Sequence, residues 1–111
     1  MPVHATTDES FARDVLASPI PVLVEFTADW CPPCRMIAPV LQKIADDEGS
    51  RLRVVSIDVD ANPVTTRAYG VMSMPTLALF VDGKPVVQFV GAKPRTAIMR
   101  LIESHLSVVA S

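Results

Sequence analysis

From Val22 onward the chain switches repeatedly between two hydrophobic periods, and this alternation limits its fold more than any other feature. Val22-Leu23-Val24-Glu25-Phe26 is a near-continuous apolar run, the pattern of a strand buried on both faces. Cys34 to Asp47 then carries apolar residues at helical spacing: Ile37, Val40, Leu41 and Ile44. Pro33 sits where a helix tolerates proline, in its first turn, and Pro39 should kink the helix by removing a backbone donor. Leu52 to Val59 reads as a second buried strand. Asn62 to Tyr69 reads as a short helix with Asn62 as cap, Pro63 at its first position and Gly70 as its stop. Thr76 to Val81 and Pro85 to Val90 are strands joined through Asp82-Gly83, a strong hairpin signal. Thr96 to Leu106 closes the pattern as an amphipathic helix with Ile98, Leu101 and Ile102 on one side. Ahead of all these, Asp8 to Ala17 carries Phe11, Val15 and Leu16 behind acidic residues, which predicts a short helix starting near Thr7.

The order is helix, strand, helix, strand, helix, strand, strand, helix. Strands separated by helices imply a parallel portion, and the final hairpin adds an antiparallel pair. The expected class is α/β, a three-layer arrangement with a mixed central β-sheet and helices on both faces. At 111 residues, half of them apolar, the chain suits one domain over 1–111 with a core that needs no metal or disulfide framework.

A formal net charge of −2 gives no basic footprint for nucleic acid. The tightest basic pair, Arg51 and Arg53, reads as a solvated strand edge. Met1 to Ser10 has neither a positive n-region nor an apolar run, so no signal peptide is expected. No apolar run approaches the ~20 residues that cross a bilayer, so no membrane association is expected either. The expected location is the cytoplasm, where stable structural disulfides are rare.

The only cysteines lie in Cys31-Pro32-Pro33-Cys34, just after a buried strand and at the opening of a helix. Aligned amides and the helix dipole favour negative charge there. A free thiol is only about 3% ionised at pH 7, and a helix start can lower its pKa by a unit or more. Cys31, before the helix proper, is expected to be the more accessible thiol and the nucleophile. Cys34, one turn in, should face inward and resolve a mixed disulfide. A zinc half-site would need a second pair of ligands, and His4 and His105 lie near opposite ends of the chain, so no metal is expected. A staple closing so short a loop would contribute only about 2 kcal/mol. Two inert thiols at this spacing remain the third alternative to redox chemistry.

Around this pair the sequence resembles the thioredoxin family. Trp30-Cys31-Pro32-Pro33-Cys34 is similar to the family's active-site motif. Val22-Leu23-Val24, Met36-Ile37-Ala38-Pro39, Asp58-Val59-Asp60 with Asn62-Pro63, Tyr69-Gly70-Val71, Met74-Pro75-Thr76-Leu77 and Val90-Gly91-Ala92 follow in the family's order and spacing. The resemblance covers roughly residues 7 to 107. It implies a cis peptide before Pro75, which faces the redox pair and turns the Met74 backbone toward an extended substrate segment. It also implies a flat apolar docking surface of Trp30, Val59, Ser73, Met74, Pro75, Val90, Gly91 and Ala92. For Val59 and Val90 a plain core position is the alternative.

Glu25 interrupts an apolar strand where the family usually carries a buried aspartate that assists proton transfer at the resolving cysteine. Burial would raise its pKa toward neutrality, whereas a solvent-facing position would leave it ordinary. Three further departures concern tuning. Pro32 stands where glycine is common, and together with Pro33 it stiffens the active-site turn and shifts the redox potential. Thr27 stands where many members have tryptophan. Ser56 stands where a lysine often pairs with the buried acid, so Glu25 should ionise less readily.

The resemblance implies a protein-disulfide oxidoreductase: a dithiol that reduces disulfide-containing proteins and is recycled by a thioredoxin reductase. It needs no cofactor in this chain and is expected to act as a monomer. Two alternatives stay open, a thiol oxidant or isomerase of the same fold, and a protein-binding module whose redox pair is incidental.

Overall fold

The computed structural model describes residues 3–106. Residues 1–2 and 107–111, which fall within the domain expected over 1–111, lie outside the described residues. Five strands form one mixed sheet in the order β1-β3-β2-β4-β5. These are β1 (His4–Ala5), β2 (Val22–Thr27), β3 (Arg53–Asp58), β4 (Thr76–Val81) and β5 (Lys84–Val90). β3 runs parallel to both β1 and β2, while β2 with β4 and β4 with β5 are antiparallel. The helices are α1 (Pro32–Glu48), α2 (Pro63–Ala68) and α3 (Arg95–Ile102).

Period-two alternation along the central strands sorts the core into two layers. Val22, Val24 and Phe26 of β2 join Phe11, Val15, Val55, Ile57 and Phe80 on one face. Leu23 of the same strand joins Ile37, Leu41, Ile44, Leu77, Leu79, Ile98 and Ile102 on the other, under α1 and α3. Each such side chain contributes about 1.5–3 kcal/mol on burial. Phe11, Tyr69 and Phe80 meet at centroid separations of 5.0–5.7 Å, which ties the N-terminal turn and α2 to the first face. Helices therefore cover both faces of the sheet.

The structure corrects several local expectations. The N-terminal helix is shorter than Asp8–Ala17: residues 8–10 form a turn, and a π-helical turn follows at Ala12–Leu16, with Leu16 exposed. The two-residue strand β1, paired in parallel with β3, has too few residues to show a period in the sequence. Asn62 occupies the cap position of α2 without capping it. Its Oδ1 accepts from Asp8 N (2.8 Å), and its amide nitrogen donates to Asp58 O. The cap comes from Asp8, whose carboxylate accepts from Val64 N and Thr65 N at 3.2 and 2.9 Å. On α3, Ile98 and Ile102 are buried but Leu101 is exposed. Arg51 is no strand-edge residue: it bridges Glu48 and Glu103, joining the end of α1 to the end of α3.

The hairpin between β4 and β5 turns on Asp82 (φ 52°) and Gly83 (φ 78°), two consecutive left-handed residues as Asp-Gly hairpins require. A Cβ on Gly83 would also lie 3.0 Å from Leu16 O. β5 is the sheet edge, and a register shift opposite Leu79 and Phe80 places Pro85 beside a bulge, where a missing amide is tolerated.

Candidate active site

β2 ends at Thr27, and residues 28–31 lead directly into α1, so the strand delivers the cysteines to the helix start. Cys31 is the N-cap of α1 in extended conformation, with Pro32 and Pro33 at the first two helical positions. An N-cap side chain normally accepts from the second or third helical amide. Pro33 has no N–H, so Cys34 N alone reaches the Cys31 sulfur, at 3.3 Å, while also donating to Cys31 O at 3.1 Å. The double proline thus removes two amides from the helix start and concentrates the contact on Cys34.

Cys31 and Cys34 form a disulfide, with Cα atoms 5.3 Å apart. The expected difference in accessibility is absent in this form: Cys31 is 2% and Cys34 4% exposed. The asymmetry lies in their neighbours instead. Cys31 Sγ lies 3.5 Å from the carbonyl oxygen of Met74, on the loop that leads into β4. Cys34 lines an open cleft of about 420 Å³ on the α1 side of the sheet, shared with Glu25, Thr27, Arg35, Gln42 and Ser56.

The Met74–Pro75 peptide is cis. Pro75 O accepts from Gly91 N at 2.9 Å, which draws the segment after β5 against this loop. Gly91 has φ 109°, a conformation that side chains other than glycine rarely adopt. Of the residues expected on the docking surface, Trp30, Ser73, Val90 and Ala92 are exposed, while Met74 and Gly91 are half-buried. Val59 is buried in the core cluster with both cysteines, and Pro75 is buried too.

Sequence reasoning missed three residues here. Asp60 Oδ2 accepts from the Trp30 indole N–H at 2.8 Å and fixes the exposed ring; its place in the Asp58-Val59-Asp60 motif was the available signal. Met36, two residues after Cys34, and Met72, two before Met74, are exposed, and no periodicity marks them because they face solvent.

Glu25 is 5% exposed, and among the described residues its Oε2 is buried with no hydrogen-bond partner. Strand alternation puts it on the Leu23 face of β2, under α1, with Ser56 opposite in the β2–β3 register. Loss of hydration pushes its pKa up to about 7. The solvent-facing alternative for Glu25 is therefore excluded. Among the described residues, no cluster of three or more His, Cys, Asp or Glu side chains is placed to hold a metal ion.

Residues 2–104 match the family model for thioredoxin. The chain belongs to the thioredoxin family. A thioredoxin of Mycolicibacterium smegmatis is 52% identical over 104 residues, covering 92% of this chain and 93% of that protein. A thioredoxin of Mycobacterium tuberculosis strain H37Rv is 55% identical over 94 residues, 85% of this chain and 81% of its own. A bifunctional thioredoxin reductase/thioredoxin of Mycobacterium leprae is 51% identical over 94 residues, 85% of this chain and 20% of that longer protein. Membership and the Cys31–Cys34 disulfide together make this chain a protein-disulfide oxidoreductase working by thioredoxin-type dithiol–disulfide exchange.

Proposed function

We propose that the chain is a cytoplasmic reductase of protein disulfides in which Cys31 attacks and Cys34 resolves. The observation that carries the assignment is the asymmetry of the two sulfurs: Cys31 caps the helix beneath Met74 O, and Cys34 shares a cleft with Glu25. In the dithiol form the Cys31 thiolate, favoured by the Cys34 amide and the helix dipole, attacks a substrate sulfur. The substrate S–S bond breaks and its other sulfur leaves as a thiolate. Glu25 takes the Cys34 proton directly or through solvent in the cleft, and the Cys34 thiolate attacks Cys31 Sγ in the mixed disulfide. The second substrate thiol leaves, and the chain ends as the disulfide, having given up two electrons. A carboxyl with pKa about 7 is suited to that transfer near neutral pH.

Substrate chains dock on the surface formed by Trp30, Ser73, Met74, Val90, Gly91 and Ala92, with Val59 and Pro75 buried. The Met74 backbone offers main-chain pairing to an extended substrate segment next to Cys31, which suits a broad range of protein disulfides. Pro32 and Pro33 tune the pair by stiffening the turn and removing its amides. A thioredoxin reductase returns the electrons, a reading supported by the fused reductase–thioredoxin relative. The chain works as a single-domain monomer over 1–111 without a cofactor of its own. Its net charge of −2 speaks against nucleic-acid partners. Among the described residues no helix is long and apolar enough to cross a membrane.

The test is trapping combined with redox titration. Cys34→Ser should accumulate a mixed disulfide with reduced-and-reoxidised protein substrates through Cys31, and Cys31→Ser should accumulate none. Trapping by Cys31→Ser instead would reverse the assignment. A reduction potential well below the glutathione poise supports a reductase, and one well above it would favour an oxidant or isomerase.

A further inference from the structure

Met72 and Met36 are the two most exposed large apolar side chains among the described residues, at 89% and 73%. Both are close in sequence to residues of the redox site. Met36 follows Cys34 by two residues on α1, where it stands one turn beyond the exposed Pro32 and Pro33 on the same helix face. Met72 precedes Met74 by two residues, and the Met74 carbonyl oxygen lies 3.5 Å from Cys31 Sγ. The other described methionines, Met74 and Met99, are half-buried against the two core layers. Among the described residues, the two most exposed thioethers thus lie on the two segments that meet at the reactive disulfide, the start of α1 and the loop carrying Met74.

We propose that Met36 and Met72 form an oxidation-sensitive rim whose conversion to sulfoxide weakens docking of protein substrates while leaving the disulfide chemistry intact. The oxidant is a hydroperoxide. Its O–O bond breaks, one oxygen forms the S–O bond of the sulfoxide and the other leaves as water or alcohol. The methionine sulfur loses two electrons and the peroxide gains them. In the disulfide form both cysteine sulfurs are already committed to each other and do not compete as thiolates. A thioether fills irregular apolar contacts adaptably, whereas a sulfoxide carries a strong acceptor that must be stripped of water on docking. Fold and redox pair are untouched, because neither side chain belongs to the core.

This proposal rests on the docking surface described above, and the experiment separates the two. The disulfide form is treated with hydrogen peroxide, sites of oxygen addition are mapped by mass spectrometry, and the cysteine pair is then reduced. Reduction of insulin, a protein disulfide, is compared with reduction of a small aromatic disulfide that needs no docking. Sulfoxide should appear at Met36 and Met72 before Met74 and Met99. The kcat/KM for insulin should fall about tenfold, mainly through KM, with the small-disulfide rate held within about twofold. Methionine sulfoxide reductases should restore the insulin rate. The double variant Met36→Leu/Met72→Leu, measured against its own untreated rate, should be insensitive to peroxide. An unchanged insulin rate after full oxidation of both residues, or an equal loss in the double variant, overturns the proposal. If untreated Trp30→Ala and Val90→Asp also leave the insulin KM unchanged, the docking surface itself is wrong. If they raise it while the sulfoxides do not, only the oxidation rim is.

Discussion

Replacing Glu25 by glutamine should stabilise the protein, and by an amount that depends on pH in a defined way. The carboxyl is buried between β2 and α1, its Oε2 has no partner among the described residues, and its pKa is pushed up to about 7 from 4.5 by loss of hydration. A carboxyl whose folded pKa is raised binds its proton more tightly in the native state. Its burden on stability is therefore absent below about pH 4.5, grows as pH rises from 4.5 to 7, and is constant above that. A shift of that size corresponds to about 3 kcal/mol of native-state penalty at pH 8 and under about 1 kcal/mol at pH 5. Glutamine keeps the volume and polarity but cannot ionise. The gap in unfolding free energy between Glu25→Gln and the parent should thus widen by about 2–3 kcal/mol between pH 5 and pH 8. The assay is urea unfolding of the disulfide form at both pH values, which keeps cysteine titration out of the comparison. Four other carboxyls, Asp8, Asp14, Asp47 and Glu103, have lowered pKa values, and their titration is common to both proteins and cancels in the difference. A gap equal at the two pH values would refute the reasoning, because Glu25 would then be solvated or paired in solution.

Other perturbations test the surrounding structure. Glu25→Gln should slow turnover of protein disulfides, with the pH dependence near neutrality flattened; stopped-flow rates unchanged from pH 6 to 9 would remove Glu25 from the proton path. Leu77→Ala, in the layer under α1 and α3, should cost about 2–5 kcal/mol by equilibrium unfolding. Gly83→Ala should destabilise by about 1–2 kcal/mol for its left-handed φ alone, and more if Leu16 O cannot retreat. Asp8→Ala should lower Tm and expose the start of α2 to amide hydrogen exchange, and Asp8→Asn should retain part of the cap.

The redox centre was the most legible part of the chain. The Cys31–Cys34 spacing, the apolar run before it and the helical period after it needed no tertiary information, since strand, turn and helix there are consecutive in sequence. The same holds for the Asp82-Gly83 hairpin, whose left-handed residues advertise themselves locally. Harder to read were features whose partners are remote. The cap of α2 is Asp8, 56 residues from the amide of Val64 that it satisfies, so the local candidate Asn62 drew the assignment instead. Arg51 near Arg53 reads as part of a solvated pair because Glu103, the second of its two partners, is 52 residues away.

By itself the sequence determined the class of fold, through the switching hydrophobic periods, and the identity of the reacting atoms, through the only two sulfhydryls of the chain. Tertiary structure alone decided how those atoms differ. It placed Met74 O against Cys31, opened the cleft that Cys34 shares with Glu25, and buried Val59 in the core cluster with both cysteines. Periodicity reports which face of its own element a residue occupies. Hydration and the distance to a partner depend on what other elements bring to that face, and packing alone sets those.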